Sequence, residues 1–236
     1  ADVGYSETAF LAPSGLVDHW VTRYFSPRIE IYFCGHATIA AAVALGRRHG
    51  DRTYHLETIV GTIPVEVRMP GGTVTATLTS VEPAQRPLDP ELLADVLGAA
   101  QMSPDDLDPD LAPGLAYAGA LHLVLPVRSR ATLARLTYDF DTMAALMTAH
   151  GLTTIQVVWR EEPHRFHARN PFPVGGVVED PATGAAAAAL GGYLRHHRQL
   201  APPADFVVIQ GVDMGRPSRI DVHVPPSGGI RVSGTA

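Results

Sequence analysis

The sequence predicts a chain of mixed α and β structure, built as two similar halves. Two observations carry this. Short β-type runs alternate with turn residues along most of the 236 residues, and a single order of local features occurs twice. In the first occurrence, Arg23-Tyr24-Phe25-Ser26-Pro27 precedes a short apolar run and then Cys34-Gly35-His36-Ala37-Thr38 with an Ala-rich helix. In the second, Arg169-Asn170-Pro171-Phe172-Pro173 precedes Val177-Val178 and then Asp180-Pro181-Ala182-Thr183-Gly184 with another Ala-rich helix. Laying Gly35 on Asp180 puts Thr38 on Thr183, and this repetition reads as an internal duplication.

Strands are expected over 8–10 and 17–22, with Pro13-Ser14-Gly15 as the turn between them. A third strand over 29–33 feeds a helix over 36–48, which Gly50 ends as a C-cap glycine. Residues 54–58, 62–69 and 73–79 read as a meander with a Gly71-Gly72 hairpin turn. The Pro-punctuated stretch from 82 to 113 marks the crossover between halves, with short helices over 90–97 and 103–107. Beyond it, 117–127 reads as one strand, 131–136 and 141–150 as helices, and 154–159 and 166–169 as strands. The second Ala-rich helix is expected over 181–198, with Asp180 as its N-cap and Pro181 as its first residue. Strands over 206–210 and 219–224 flank the Met214-to-Ser218 turn, and a last strand starts at Ile230.

The second Ala-rich helix has high intrinsic propensity, little side-chain bulk and no charge until Arg195, which suits burial on most of its circumference. A helix N-terminus opening on a small polar turn presents backbone N–H groups and a positive dipole end, so the start of each Ala-rich helix is an anion-site candidate. The formal charge is −6 and 18% of residues are charged, which argues against nucleic acid or an anionic membrane as partner. Arg47-Arg48-His49 and His196-His197-Arg198 fall at helix C-terminal ends, where cations complement the dipole. One cysteine excludes an internal disulfide framework and a thiolate cage. No apolar run is long enough to span a bilayer, so a soluble, cytoplasmic protein is expected.

Glu7 is the sharpest candidate for proton chemistry. Ser6 and Thr8 flank it and Ala9-Phe10 follow, so a strand would hold the carboxylate beside an apolar wall. Burial there without a cationic partner would suit it to acid/base work. His36 opens the first helix and reads as a hydrogen-bond donor to substrate or as a proton-relay partner of Glu7. Thr183 and Gly184 offer backbone N–H groups to a carboxylate. Cys34 is the only thiol, so a two-thiol mechanism cannot operate, and alone it reads as a small core residue. In the sequence alignment its place in the second half falls to Glu179. His164 and His167 point to opposite faces of an expected strand, and His196 and His197 are adjacent. No metal is expected. No Gly-rich phosphate loop is present in the G-x-G-x-x-G arrangement, so no nucleotide cofactor is expected either.

Five motifs in order, namely Ser6-Glu7-Thr8-Ala9-Phe10, Arg23 to Pro27, Cys34 to Thr38, Glu179 to Gly184 and Gly215-Arg216-Pro217-Ser218, together resemble the PhzF-like isomerases of phenazine biosynthesis. The resemblance implies the diaminopimelate epimerase-like fold: α+β, two pseudo-symmetric halves, each a curved, mostly antiparallel sheet wrapped around a central Ala-rich helix. The halves would be 1–83 and 84–225, with 226–236 returning to the first. In the family the motif of Glu7 follows an opening strand and helix, so further residues are expected before it, and the last strand stops short.

The resemblance also makes Glu7 the catalytic acid/base. It gives substrate contacts to Ser6, Gly35, His36, Asp180, Thr183, Gly184 and Ala185. Many relatives carry Ser where this chain has Ala185, and the aromatic of Arg169 to Pro173 is displaced relative to Arg23 to Pro27. The implied reaction is a cofactor-free isomerisation, a double-bond shift on a small carboxylate-bearing molecule. A cyclic unsaturated amino acid or a natural-product precursor is the expected substrate, bound in a cleft between the two duplicated halves of the chain, and the resemblance also implies a homodimer. An amino-acid epimerase or racemase, or a non-catalytic binding member of the fold, are the alternatives.

Overall fold

The computed structural model describes residues 7–25, 30–31 and 34–235. Its contacts divide the chain into two units, one of residues 1–79 with 231–236 and one of residues 80–230. The sequence reading placed these boundaries at 83/84 and 225/226.

The first unit opens with the antiparallel pair β1 (Thr8–Pro13) and β2 (His19–Phe25), in which Ala9 faces Tyr24. The turn between them carries Asp18 at positive φ, which starts β2 later than the sequence suggested. The other edge of β2 is shared. Tyr24 and Phe25 pair with β3 (Glu30–Ile31), and His19 to Val21 run parallel to the strand that follows helix α1 (Gly35–His49). The expected strand over 29–33 otherwise lies outside the described residues. That next strand is β4 (Arg52–Thr58), and β5 (Gly61–Arg68) and β6 (Thr75–Thr79) continue the antiparallel meander.

Gly71 and Gly72 both take positive φ in the Pro70–Gly72 turn between β5 and β6, which only glycine adopts without strain. Helix α1 packs on this sheet, and its Ala42, Val43 and Leu45 meet Tyr54, Leu56, Val65, Val67 and Ala76. Gly46 permits the close approach, since a Cβ there would lie 2.5 Å from the Val67 Cγ1. The last strand of the chain (Arg231–Gly234) pairs with β6 and so belongs to this unit.

The second unit begins with β7 (Ala84–Arg86) and α2 (Pro90–Ala99), whose start is capped by the Asp89 carboxylate accepting from Glu91 N–H. Residues 104–106 form one 3-10 turn rather than a helix, because Ser103 and Asp106 close a capping box on each other at once. The apolar run expected as one strand is a hairpin, β8 (Gly114–Tyr117) and β9 (Leu121–Pro126). Gly119 at φ 107° turns the chain between them. Helices α3 (Arg130–Ala134) and α4 (Phe140–His150) follow, then β10 (Thr154–Glu162), β11 (Arg165–Phe172), β12 (Val177–Asp180), α5 (Gly184–His196), β13 (Ala204–Gln210) and β14 (Ser218–Val224). The closing strand at 231–234 is β15.

The sheet of this unit runs β7-β8-β9-β10-β11-β13-β14, with β9/β10 and β11/β13 parallel. One face packs α2, α3 and α4 over Leu121, Leu123, Leu125, Ile155 and Val157. Helix α5 lies on the other face and is buried without interruption from Ala186 to Leu194. Gly192 lets it approach Pro83, whose Cβ would lie 2.3 Å from an added Cβ.

The duplication is visible in the topology. The succession β1-β2-β3-α1-β4-β5 matches β10-β11-β12-α5-β13-β14, and each copy has one parallel pair, β2/β4 and β11/β13. In the first copy Tyr24 faces Ile31 and Phe25 faces Glu30; in the second Asn170 faces Asp180 and Pro171 faces Glu179. Both copies pair the arginine before these positions with the facing glutamate, Arg23 with Glu30 and Arg169 with Glu179. This register lays Gly35 on Gly184 and Cys34 on Thr183, so the sequence alignment of Gly35 with Asp180 is corrected. The second turn is three residues longer than the first, and matching Thr to Thr concealed the offset.

Candidate active site

At the start of α1 the structure brings together three chemically active side chains. Glu7 directly precedes β1, Cys34 is the N-cap of α1, and His36 is its second residue. The His36 Nε2 lies 2.9 Å from Glu7 Oε2, with the Glu7 side chain only 10% exposed. The Cys34 Sγ lies 3.5 Å from both ring nitrogens of His36. Of the two roles that the sequence leaves to His36, this contact accords with the one beside the Glu7 carboxylate.

The backbone around this triad is held from below. The Thr38 hydroxyl donates to the Cys34 carbonyl at 2.7 Å, and the Thr38 N–H donates to the same oxygen at 2.9 Å. With its own proton so used, Thr38 Oγ1 accepts from the Tyr24 hydroxyl at 2.5 Å. Both side chains are buried. Burial is the main reason that the Tyr24 phenol is pushed up to about 12, so it acts as a fixed donor. The first N–H groups of α1, those of Gly35, His36 and Ala37, have no acceptor within the helix by its geometry and carry the positive end of the dipole.

The second unit arranges the corresponding turn differently. Helix α5 begins at Gly184 with Thr183 as N-cap, so Asp180 is not the N-cap and Pro181 is not helical. Asp180 instead closes the turn, its carboxylate accepting from the Thr183 hydroxyl at 2.8 Å and from Ala182 N–H at 3.3 Å. The Thr183 N–H, expected to face a ligand, donates to the Gln210 side chain at 3.1 Å. Gln210 in turn donates to the Asp180 carbonyl at 2.6 Å and to Thr183 Oγ1 at 2.9 Å. The donors left to a ligand are therefore those of Gly184, Ala185 and Ala186 at the first turn. Ser6 lies outside the described residues.

Gln210 was missed in the sequence, although a signal was there. It ends a strand whose inward positions are Phe206 and Val208, and an amide at such a place must satisfy buried polar groups. In the corrected register the second unit has Thr154, Thr183 and Ala185 where the first has Glu7, Cys34 and His36. The acid, the thiol and the imidazole belong to the first copy alone. His164 lies in the turn before β11, not on a strand, and its Nδ1 bonds to the Asp205 carbonyl.

The family profile described as "Phenazine biosynthesis-like protein" (PhzC-PhzF) matches residues 1–236. The chain is 29% identical over 247 aligned residues to a Bacillus subtilis protein named as the uncharacterized isomerase YfhB, covering 99% of this chain and 82% of that one. It is 30% identical to the trans-2,3-dihydro-3-hydroxyanthranilate isomerase of Pseudomonas chlororaphis, over 92% of this chain and 74% of that one. A solved structure named a predicted epimerase, from Pseudomonas aeruginosa, superposes with a TM-score of 0.86 at 26% identity, covering 99% of this chain and 82% of that one. No helix among the described residues is long and apolar enough to cross a membrane. With its duplicated α+β fold and its match along the whole length, the chain belongs to the PhzF-like family of phenazine biosynthesis-like proteins and is an isomerase.

Proposed function

We propose that the protein shifts a double bond in a small carboxylate-bearing molecule, with Glu7 as the general acid/base. The observation that carries this is the Glu7–His36 contact of 2.9 Å at the N-terminus of helix α1. The carboxylate of Glu7 takes a proton from a carbon of the substrate. The C–H electron pair forms a new C=C bond while the old double bond moves along. The proton on Glu7 is then delivered to the far carbon, so atoms and charge balance without a redox partner. His36 donates to the substrate or to Glu7 and holds the carboxylate in place between the two transfers. Negative charge that develops on the substrate is met by the first N–H groups of α1, Gly35 among them.

In this reading Asp180 recognises a cationic or hydroxyl group of the substrate. The N–H groups of Gly184, Ala185 and Ala186 at the start of α5 are offered to an anionic one. Ala185 supplies no hydroxyl, which suits a substrate with one polar group fewer than the Ser-bearing relatives accept. The class is a cyclic unsaturated amino acid, as the name of the Pseudomonas chlororaphis relative suggests, or a related natural-product precursor.

The test is proton NMR in D₂O with a panel of unsaturated and chiral amino acids. A double-bond shift is expected with one member, and Glu7→Gln is expected to slow it by about 10²- to 10⁴-fold. Undiminished turnover by Glu7→Gln would remove the proposal. Deuterium entering an α-carbon with loss of chirality would replace it with an epimerase.

A further inference from the structure

We infer that Glu7, Cys34 and His36 form a binding site for a thiophilic divalent cation of the zinc class. Each offers one ligand atom, and the three atoms lie within 4.8 Å of one another. The geometry is close to what such an ion needs. Tetrahedral zinc with a sulfur bond of about 2.3 Å and nitrogen and oxygen bonds of about 2.0 Å separates sulfur from nitrogen by about 3.5 Å and nitrogen from oxygen by about 3.3 Å. The Cys34 Sγ and His36 Nε2 are 3.5 Å apart, and His36 Nε2 and Glu7 Oε2 are 2.9 Å apart. The second edge has to open by a few tenths of an ångström, and, since Sγ is equally far from Nδ1 and Nε2, the imidazole has to turn so that its Nε2 lone pair meets the ion.

The donor set and its charge point the same way. Thiolate, imidazole and carboxylate together select a borderline-soft ion over magnesium or calcium, which prefer all-oxygen shells. One thiolate and one carboxylate neutralise a divalent cation, so no net charge is buried. Cys34 and His36 are placed by one rigid helix start, with the Cys34 carbonyl held twice by Thr38. A fourth position stays open to water, as three protein ligands leave it. A bound ion would occupy both the Glu7 carboxylate and the His36 ring, so on the reading of Glu7 as acid/base it would be a reversible inhibitor.

Titration of the reduced protein with Co(II), followed by absorption, tests this without reference to turnover. The chain has one cysteine, so a thiolate-to-cobalt charge-transfer band reports Cys34 alone. The expected result is a band that saturates at one equivalent, is displaced by one equivalent of Zn(II), and is unaffected by excess Mg(II). Cys34→Ser should abolish it, and His36→Gln and Glu7→Gln should each weaken Zn(II) binding at least tenfold by calorimetry. No thiolate band would overturn the inference. So would a band whose affinity is unchanged in His36→Gln and Glu7→Gln, since that is an adventitious thiol contact. Binding that persists in Cys34→Ser without the band would place the metal on surface imidazoles such as His196 and His197, and would equally overturn it. Should a variant fail to fold, protection of wild-type Cys34 from alkylation by one equivalent of Zn(II) decides: protection supports the site, and its absence removes it. Failure here leaves the D₂O experiment intact, and the reverse is also true.

Discussion

His122 shows how a buried polar residue can be set by its neighbours alone. It is fully buried on β9, and its Nδ1 lies 2.8 Å from the Thr154 hydroxyl, which itself donates to Asn170 Oδ1 at 3.1 Å. A hydroxyl whose proton goes to Asn170 can only accept from the ring, so His122 carries its proton on Nδ1. Burial drives its pKa down to about 3. The unfolded chain takes up a proton near the ordinary value of about 6.5, while the folded protein does not until about pH 3. The unfolded state therefore binds more protons throughout that window, and stability falls as pH drops through it. Between pH 6.5 and pH 5 the expected loss is about 2 kcal/mol. His122→Asn, which can keep the bond to Thr154, should flatten the dependence by about one proton when urea unfolding is compared near pH 7 and near pH 5. An unchanged slope would mean that the ring is charged in the folded state. Nothing in the local sequence Ala120-Leu121-His122-Leu123-Val124 distinguishes this role, because an inward histidine on a strand becomes legible only when its cross-strand partner is known.

At the scale of elements, the ion pair of Arg169 and Glu179 ties three of them together. Arg169 Nε lies 3.1 Å from each Glu179 oxygen, and its Nη2 also bonds the carboxylate, which joins β11 to β12. Its Nη1 donates to the carbonyls of Leu133, Ala134 and Leu136 at 3.2, 3.0 and 3.0 Å, satisfying the end of the short helix α3. Both side chains are largely buried, at 13% and 6% exposure. Removing one partner strands the other charge, so Glu179→Ala is expected to cost about 3–5 kcal/mol. The exposed counterpart Arg23–Glu30 should lose far less in Glu30→Ala, because solvent screens the pair. Chemical denaturation of the two variants checks the contrast, and equal effects would contradict it. The sequence made most elements legible where periodicity and punctuation agreed, as for α1, α4 and the β4-β5-β6 meander. It failed where one residue reset the backbone, as Gly119 did in splitting β8 from β9. It failed again at the start of α5, where Pro181 imitates a first helical residue while Asp180 holds a non-helical turn.

Across the whole molecule, the duplication has kept the frame and divided the duties. Gly35 and Gly184 start equivalent helices, yet the two N-caps do opposite things. Cys34 makes no capping hydrogen bond and directs its sulfur to His36, beside Glu7. Thr183 is fully engaged in structure, donating its hydroxyl to Asp180 and accepting from Gln210. The motifs around Glu7, Cys34-Gly35-His36 and Asp180 to Gly184 were legible because their chemistry is local in sequence. The network behind them was not, since Gln210 and Thr183 are brought together only by strand pairing. Substitution at the two caps should therefore separate stability from chemistry. Thr183→Val leaves the Asp180 carboxylate and the Gln210 amide each short of a partner in a buried turn, which should cost about 1–3 kcal/mol. Cys34→Ser removes no structural bond and should stay within about 0.5 kcal/mol of the parent. Urea midpoints of the two variants read the difference directly. A Cys34→Ser protein destabilised as much as Thr183→Val would mean that the first cap is structural too, and that the division of duties between the copies is not real.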